Sequence, residues 1–279
     1  MIRPVVSKPY GTPDGAKSLG DQMHQFDTLH LEVSGSVGTM QLHRPERLNA
    51  LSRQTLKDLA DAATWWNTQR DVKVVVVSGA GSSFSAGFDL GDFASSDPDV
   101  TPRDSADLGR IMAESVTGMN ALTIAAIHGH CVGGGVVLAA SCDLRVAASD
   151  ALFRIPEVDL GIPLAWGGIP RLVRELGPAV TKELVLTCRS FGPDEALGLR
   201  FINTVVERSE LDTHVYALAE SLAAKPGYAL RTTKQQVNAV TEEMIGTGRS
   251  AADADALVFA TYDPESRAAS AAYLASKKK

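Results

Sequence analysis

The sequence predicts an α/β fold, on three observations. Short β-branched runs bounded by glycine or serine alternate with stretches of helical spacing, and the two glycine-rich turns each follow a strand. The third is size: 279 residues of 44% hydrophobic content suffice for one large domain with an appended helical piece.

The elements follow in order. Residues 1–25 mix Pro, Gly and charge without periodicity and read as a loosely ordered arm. LHLEV (29–33) and VGTMQLH (37–43), joined through Ser34, Gly35 and Ser36, read as a strand pair. Leu56, Leu59, Ala63 and Trp66 recur at helical spacing between residues 51 and 66, and residues 108–119 are a further helical stretch. VKVVVVSG (72–79) and LTIAAIHG (122–129) read as buried strands, and the alternation continues through DLRVAA (143–148) and FRIPEVDLGI (153–162). Thereafter the chain turns mainly helical. Pro193 after Gly192 suits a helix start, and Ser209 with Asp212 forms a capping-box pattern before Leu211, Val215, Leu218 and Leu222. The resulting division is an arm over 1–25, a core over 26–205 and a helical region over 206–279.

Charge and composition narrow the function. The net charge is −6 with no basic stripe interleaved with aromatics, which argues against a nucleic-acid surface; Lys277 to Lys279 are only a short tail. Cys131, Cys142 and Cys188 lack metal-ligand spacing and read as reduced residues, so no metal is expected. The N-terminus lacks a basic patch followed by an apolar stretch, and no apolar run approaches the ~20 residues a membrane span needs. A soluble, cytoplasmic protein is expected.

Two glycine-rich turns, VVVVSGAGSSFSAGFDL (74–90) and AAIHGHCVGGGVVLAASCD (125–143), are the candidate binding loops. Such turns let backbone N–H groups approach a ligand oxygen, and a helix starting there adds its positive end. Gly79, Gly81 and Phe84 give G-x-G-x-x-F, which lacks the third glycine of a dinucleotide site. Neither turn ends in the G-K-[ST] of a P-loop, and there is no G-x-S-x-G nucleophile elbow. What remains is a pair of donor loops without a covalent nucleophile, suited to stabilising an oxyanion while another group moves a proton.

RPERLNALS (44–52), FSAGFDL (84–90), HGHCVGGG (128–135), CDLRVA (142–147) and FRIPEVDLGI (153–162), followed by GGIPRLVRELG (167–177), resemble in order the signatures of the crotonase (enoyl-CoA hydratase/isomerase) family. The resemblance covers nearly everything from residue 26 onward. It implies a spiral of ββα turns with a C-terminal helical region that builds trimers or hexamers and covers the site. It implies an acyl-CoA thioester as substrate, with coenzyme A entering as part of it and no separate cofactor. The oxyanion donors it implies are the N–H groups of Phe88 and Gly134, each worth roughly 3 kcal/mol in the transition state. Arg47, Leu48, Ala50, Ala86 and Asp89 match the positions that hold CoA. Glu46 stands where similar enzymes often carry a lysine near the CoA phosphates, and Arg47 is its substitute. Trp166 and Phe88 are taken to shape the acyl pocket.

The carboxylates separate the reactions. Hydratases resembling this chain use two glutamates; Glu157 matches one, but the other position is Val137, whose aliphatic side chain neither orients water nor exchanges a proton. One carboxylate suffices to shift a double bond, so Glu157 is expected to be the single general acid/base of an isomerase. A dienoyl-CoA isomerase needs a further acid eight residues on, where Ala165 stands, and dehalogenase-like members place an aspartate there. A hydratase with an atypical water-orienting group such as His130, or a non-catalytic acyl-CoA-binding protein, are the alternatives. His128 and Asp159 are read as structural, and nothing requires Cys131 to react.

Overall fold

The structure, a computed structural model, describes residues 26–93 and 100–276; the arm expected over 1–25 and the closing lysines lie outside the described residues. β1 (Leu29–Ser34) and β2 (Val37–Leu42) form an antiparallel hairpin, Leu29 opposite Leu42. A 3-10 turn over Pro45–Arg47 leads to α1 (Arg53–Trp66), which buries the anticipated Leu56, Leu59, Ala63 and Trp66. Its N-cap is Ser52, whose Oγ accepts the Thr55 N–H at 3.1 Å, a contact worth about 1 kcal/mol.

β3 (Val74–Gly79), α2 (Leu90–Phe93), α3 (Pro102–Thr117), β4 (Leu122–Ile127), β5 (His130–Val132) and α4 (Gly134–Ser141) follow. Then come β6 (Leu144–Ala148), β7 (Leu152–Arg154), α5 (Gly168–Leu176), α6 (Pro178–Thr187), α7 (Pro193–Gly198) and β8 (Thr204–Val206). Four helices close the chain: α8 (Leu211–Ala223), α9 (Gly227–Met244), α10 (Asp253–Ala260) and α11 (Pro264–Ser276).

The main sheet runs β1-β2-β3-β4-β6-β8, parallel from β2 onward. A small second sheet pairs β5 with β7 and gains Ser85 through a parallel bridge to Cys131. Three successive units thus place one strand in the large sheet, one extended segment in the small sheet and then helix: β3, Ser85 and α2–α3; β4, β5 and α4; β6, β7 and α5. This is the ββα spiral that the resemblance implies. β3 explains why its sequence is a run and not an alternation. Val75 and Val77 face the core under α1, α3 and α4, while Val74 and Val76 face Leu211, Val215 and Ala219 of α8, so both faces are covered.

Two expectations are corrected. Only Phe153 and Arg154 of the FRIPEVDLGI stretch are strand, as the end of β7; from Pro156 the chain turns, with Leu160 N–H bonded to Pro156 O, Ile162 N–H to Glu157 O and Gly161 at φ +71. Proline withholds a ladder donor and the left-handed glycine reverses the chain, which the apolar letters between them conceal. The capping box at Ser209 and Asp212 does not form. Arg208–Glu210 is a 3-10 turn that puts Glu210, not an extended Ser209, at the start of α8, with no side-chain cap. The start at Pro193, by contrast, holds, with Pro193 in the first turn of α7.

α9 is tied to the body by one buried cation. Lys234 Nζ meets Asp143 Oδ2 at 2.8 Å and donates to Ala121 O at 2.9 Å. Asp143 Oδ2 also accepts from the N–H and hydroxyl of Thr123. Lys234→Met is expected to cost about 2–3 kcal/mol, below the range for a fully buried pair because Asp143 is partly exposed, read as a lower urea midpoint at unchanged slope. Among the described residues no helix is long and apolar enough to cross a membrane, and no cluster of His, Cys, Asp or Glu is grouped to hold a metal ion.

Candidate active site

The first glycine loop is held by the RPERLNALS turn, in which Leu48 and Asn49 both take left-handed φ, +49 and +53. Asparagine tolerates that region because its short amide bonds locally. Asn49 Nδ2 donates to Ala80 O (2.8 Å) and Ser83 O (2.7 Å), and its Oδ1 accepts the Arg44 N–H at 3.0 Å. The two segments are then zipped together: Ala86 N–H to Leu48 O, Leu51 N–H to Gly87 O and Asp89 N–H to Leu51 O. Ser85 Oγ completes the lock by donating to Asn49 O and accepting the Gly87 N–H. Because neighbouring N–H groups of an extended segment point to opposite sides, bonding of Asp89 N–H to Leu51 turns the Phe88 N–H the other way.

On that other side lies the second loop. Val132 N–H donates to Ser85 O at 3.0 Å, and Gly133 N–H donates to Arg154 O. Gly133 takes φ +50, ψ −115 and starts α4, so Gly134 is its first residue. The loops touch. Gly87 has φ +89, and a Cβ added there would lie 2.7 Å from Val132 O and 3.6 Å from Gly134 N. Among the described residues neither the Phe88 nor the Gly134 N–H has a protein acceptor. For Gly134 this is the ordinary state of a helix N-terminus, where the local field also favours negative charge.

Glu157 reaches this place from the turn after β7. Its carboxylate rests on Gly133: a Cβ added to that glycine would stand 2.5 Å from Glu157 Oε1 and 3.5 Å from Oε2. Glu157 Oε2 is buried without a hydrogen-bond partner, although the residue as a whole is only half-buried. Burial away from water pushes the carboxyl up to about 7, against a small opposing effect of its own backbone N–H. A buried polar atom without a partner is costly in a resting protein, and at Glu157 it lies on Gly133 beside the bare N–H of Gly134.

Tyr273 of α11 senses the Glu157 charge; the residues packed about the two loops are apolar. Val137 and Ala165 are buried, as are Leu164 and Trp166. The Trp166 ring stands edge to face with Phe88, centroids 5.7 Å apart at 89°, and a side chain on Gly134 would overlap it. The structure thus joins Trp166 to Phe88 and Gly134 and sets Glu157 on the adjacent Gly133, while Val137 lies one turn further along α4, facing the Gly168 position.

The residues matched to CoA range from exposed to buried, Asp89 being the buried one. Asp89 is paired with Arg44 (2.9 Å) and Arg47 (3.5 Å), and Arg44 Nη1 also donates to Ala50 O at 2.6 Å. Burial acts to raise the Asp89 carboxyl, but the Gly91 N–H and the two guanidiniums outweigh it and hold it below the usual range. Arg47, Leu48 and Glu46 are exposed, while Ala50 and Ala86 are half-buried.

Other candidates fall away from the cluster. His128 is buried with Nε2 against Gly81 O at 3.1 Å, and desolvation lowers its pKa. His130 is exposed. Cys131 lies in β5, and its burial pushes the thiol far up, which suppresses thiolate chemistry. Asp159 pairs with Arg154 at 2.7 Å. Sequence reasoning misses Asn49 and Ser85, whose side chains position the first loop, and Gly133, which makes room for the carboxylate. An Asn between two hydrophobic residues in a turn is the available signal for the first.

Residues 32–279 match the family described as Enoyl-CoA hydratase/isomerase. A crotonyl-CoA hydratase of Syntrophomonas wolfei is 35% identical over 240 residues, covering 85% of this chain and 92% of that protein. A peroxisomal Delta(3,5)-Delta(2,4)-dienoyl-CoA isomerase of Arabidopsis thaliana is 36% identical over 227 residues, covering 76% of this chain and 82% of its own. The crystal structure of an enoyl-CoA hydratase/carnithine racemase from Magnetospirillum magneticum superposes with a TM-score of 0.74 at 32% identity, covering 77% of this chain and 82% of the other.

Proposed function

The chain belongs to the enoyl-CoA hydratase/isomerase family, and from that premise we propose that it moves the double bond of an enoyl-CoA thioester with Glu157 as its single general acid/base. The observation that carries the proposal is the Glu157 carboxylate resting on Gly133, next to Gly134, with its Oε2 buried and unpartnered, and with aliphatic Val137 and Ala165 at the other positions where relatives of different reaction type place an acid. The Phe88 and Gly134 N–H groups hold the thioester oxygen. Glu157 takes a proton from C2 of a 3-enoyl chain, the C2 electron pair delocalises onto that oxygen as a dienolate, and the carboxyl returns the proton at C4. No electrons leave the substrate, so the step asks for no redox cofactor. A carboxyl with a pKa near the working pH suits a group that must both accept and return the proton.

CoA enters along the lip made by Arg47, Leu48, Ala50, Ala86 and Asp89, with Arg47 nearest in type to a phosphate partner. The apolar wall of Val137 and Trp166 keeps water off the dienolate, which favours reprotonation over addition. A second reading is hydration with one glutamate, favoured by the hydratase names of relatives such as the Syntrophomonas protein. The dienoyl reaction named for the Arabidopsis relative is not favoured, because Ala165 offers no second acid.

The deciding measurement is turnover of a panel of 3-enoyl-CoA and 2-enoyl-CoA thioesters followed by mass and by double-bond position. Isomerisation is expected to leave mass unchanged and convert the 3-enoyl to the 2-enoyl ester. Gain of one water as the main product would replace isomerase by hydratase. Saturable binding with no conversion would reduce the protein to an acyl-CoA carrier.

A further inference from the structure

One aromatic side chain touches both donor residues. The Trp166 indole lies edge to face with Phe88, while side chains added at Gly134 on α4 or at Gly109 on α3 would overlap its ring. The ring is therefore packed between α3 and α4, its pyrrole side over Gly109 and its benzo edge at Gly134. Trp166 itself takes φ +62, a backbone state that a bulky residue adopts only when its surroundings enforce it. The enforcement is visible. Buried Arg171 donates to Gly167 O at 3.2 Å and to Trp166 O at 3.5 Å, and Gly168 N–H bonds to Ala165 O. Asp253, at the start of α10, accepts the Gly167 N–H at 2.8 Å. Val137 and Leu164 meet beneath the same turn, each 3.0 Å from a Cβ added at Gly168.

We propose that Trp166, seated on Gly109 and clamped by Arg171 and Asp253, is the end wall of the acyl pocket and restricts the site to short acyl chains. This rests on the acyl-CoA reading above. A carbonyl held by the Phe88 and Gly134 N–H groups puts the acyl tail beside the indole, and a long tail has to displace a ring that is packed against Gly109 on α3, Gly134 on α4 and Phe88. Asp253 and Arg171 are positioning residues: they fix the turn that carries the wall, which ties the C-terminal helices to chain-length selection.

The test compares four-carbon and twelve-carbon thioesters in two ways: catalytic efficiency (kcat/KM) with the reactive enoyl esters, and calorimetric Kd with the saturated butyryl- and dodecanoyl-CoA. The natural protein is expected to favour the short member at least a hundredfold. Trp166→Ala should shift the long-to-short ratio at least tenfold toward long chains, Trp166→Phe should keep most of the natural preference, and Asp253→Asn should shift the ratio in the same direction as Trp166→Ala. Trp166→Leu, which retains an apolar contact to Gly109, carries the same test if the alanine variant does not fold. A natural protein indifferent to chain length, or a ratio within twofold of natural in both the alanine and leucine variants, overturns the proposal. Because the saturated esters do not react, their Kd series reads the wall even where no enoyl ester is converted; failure of the proton-transfer reading and failure of the wall are thus separate results.

Discussion

Glu157→Gln is expected to lower kcat for 3-enoyl-CoA isomerisation by about a thousandfold, the middle of the range for losing a positioned general acid/base, while acyl-CoA binding is largely kept. Gln is nearly isosteric and keeps the carboxamide over Gly133, so the site keeps its shape; what disappears is the proposed proton carrier. Two pH effects accompany the loss. The proposed reaction begins with ionised Glu157, so kcat/KM for the natural protein should rise with pH and level off above about 7, the value to which burial raises the carboxyl. Stability runs in the opposite sense. The folded carboxyl holds its proton more tightly than the unfolded one, so its contribution is fully present below the ordinary value of 4.5 and is lost as pH rises through about 7. Gln cannot ionise. Glu157→Gln should therefore match the natural protein at about pH 4 and exceed it at about pH 8 by on the order of 2 kcal/mol, the full shift being discounted for a half-buried residue. Urea titrations at the two pH values give the difference directly. Unchanged turnover would remove Glu157 from the chemistry, and a difference independent of pH would show that its carboxyl is solvated.

Gly134→Ala is the second large effect. The new methyl overlaps the Trp166 ring, and the ring is held from behind by Gly109 on α3, so the first turn of α4 has to move and its N–H leaves the carbonyl. A loss of about 10²–10³ in kcat is expected, the usual cost of one oxyanion donor, with Glu157 untouched. The cause is checked by a double variant. If overlap displaces the donor, adding Trp166→Ala should restore part of the loss, a coupling that independent sites do not show. Additive losses in the pair would mean that Gly134 matters for some other reason, and a natural kcat in Gly134→Ala would remove the donor role.

These effects bear on how much the sequence could disclose. The Val74–Val77 run, the helical spacing of Leu56, Leu59, Ala63 and Trp66, and the order of the motifs around Asn49, Gly87, Gly134 and Glu157 are legible, because strand and helix periods and glycine turns are local properties of the chain. So is the contrast between Glu157 and Val137, since the chemistry of a side chain is carried by its identity. The turn after Pro156 and the failed cap at Ser209 mislead for the same reason in reverse: a local pattern is right in composition, but a neighbouring turn claims the backbone.

The letters alone determined the alternation of strand and helix, the loops able to present bare N–H groups, and the presence of Glu157 opposite an aliphatic Val137 in the family's motifs. Tertiary structure decided that Gly87 and Gly134 lie side by side, that Glu157 loses its water against Gly133, and that Trp166 is wedged on Gly109 from a turn held by Asp253. Desolvation and close approach depend on what the rest of the chain lays over a residue. Those contacts join segments far apart in sequence, where no periodicity reaches.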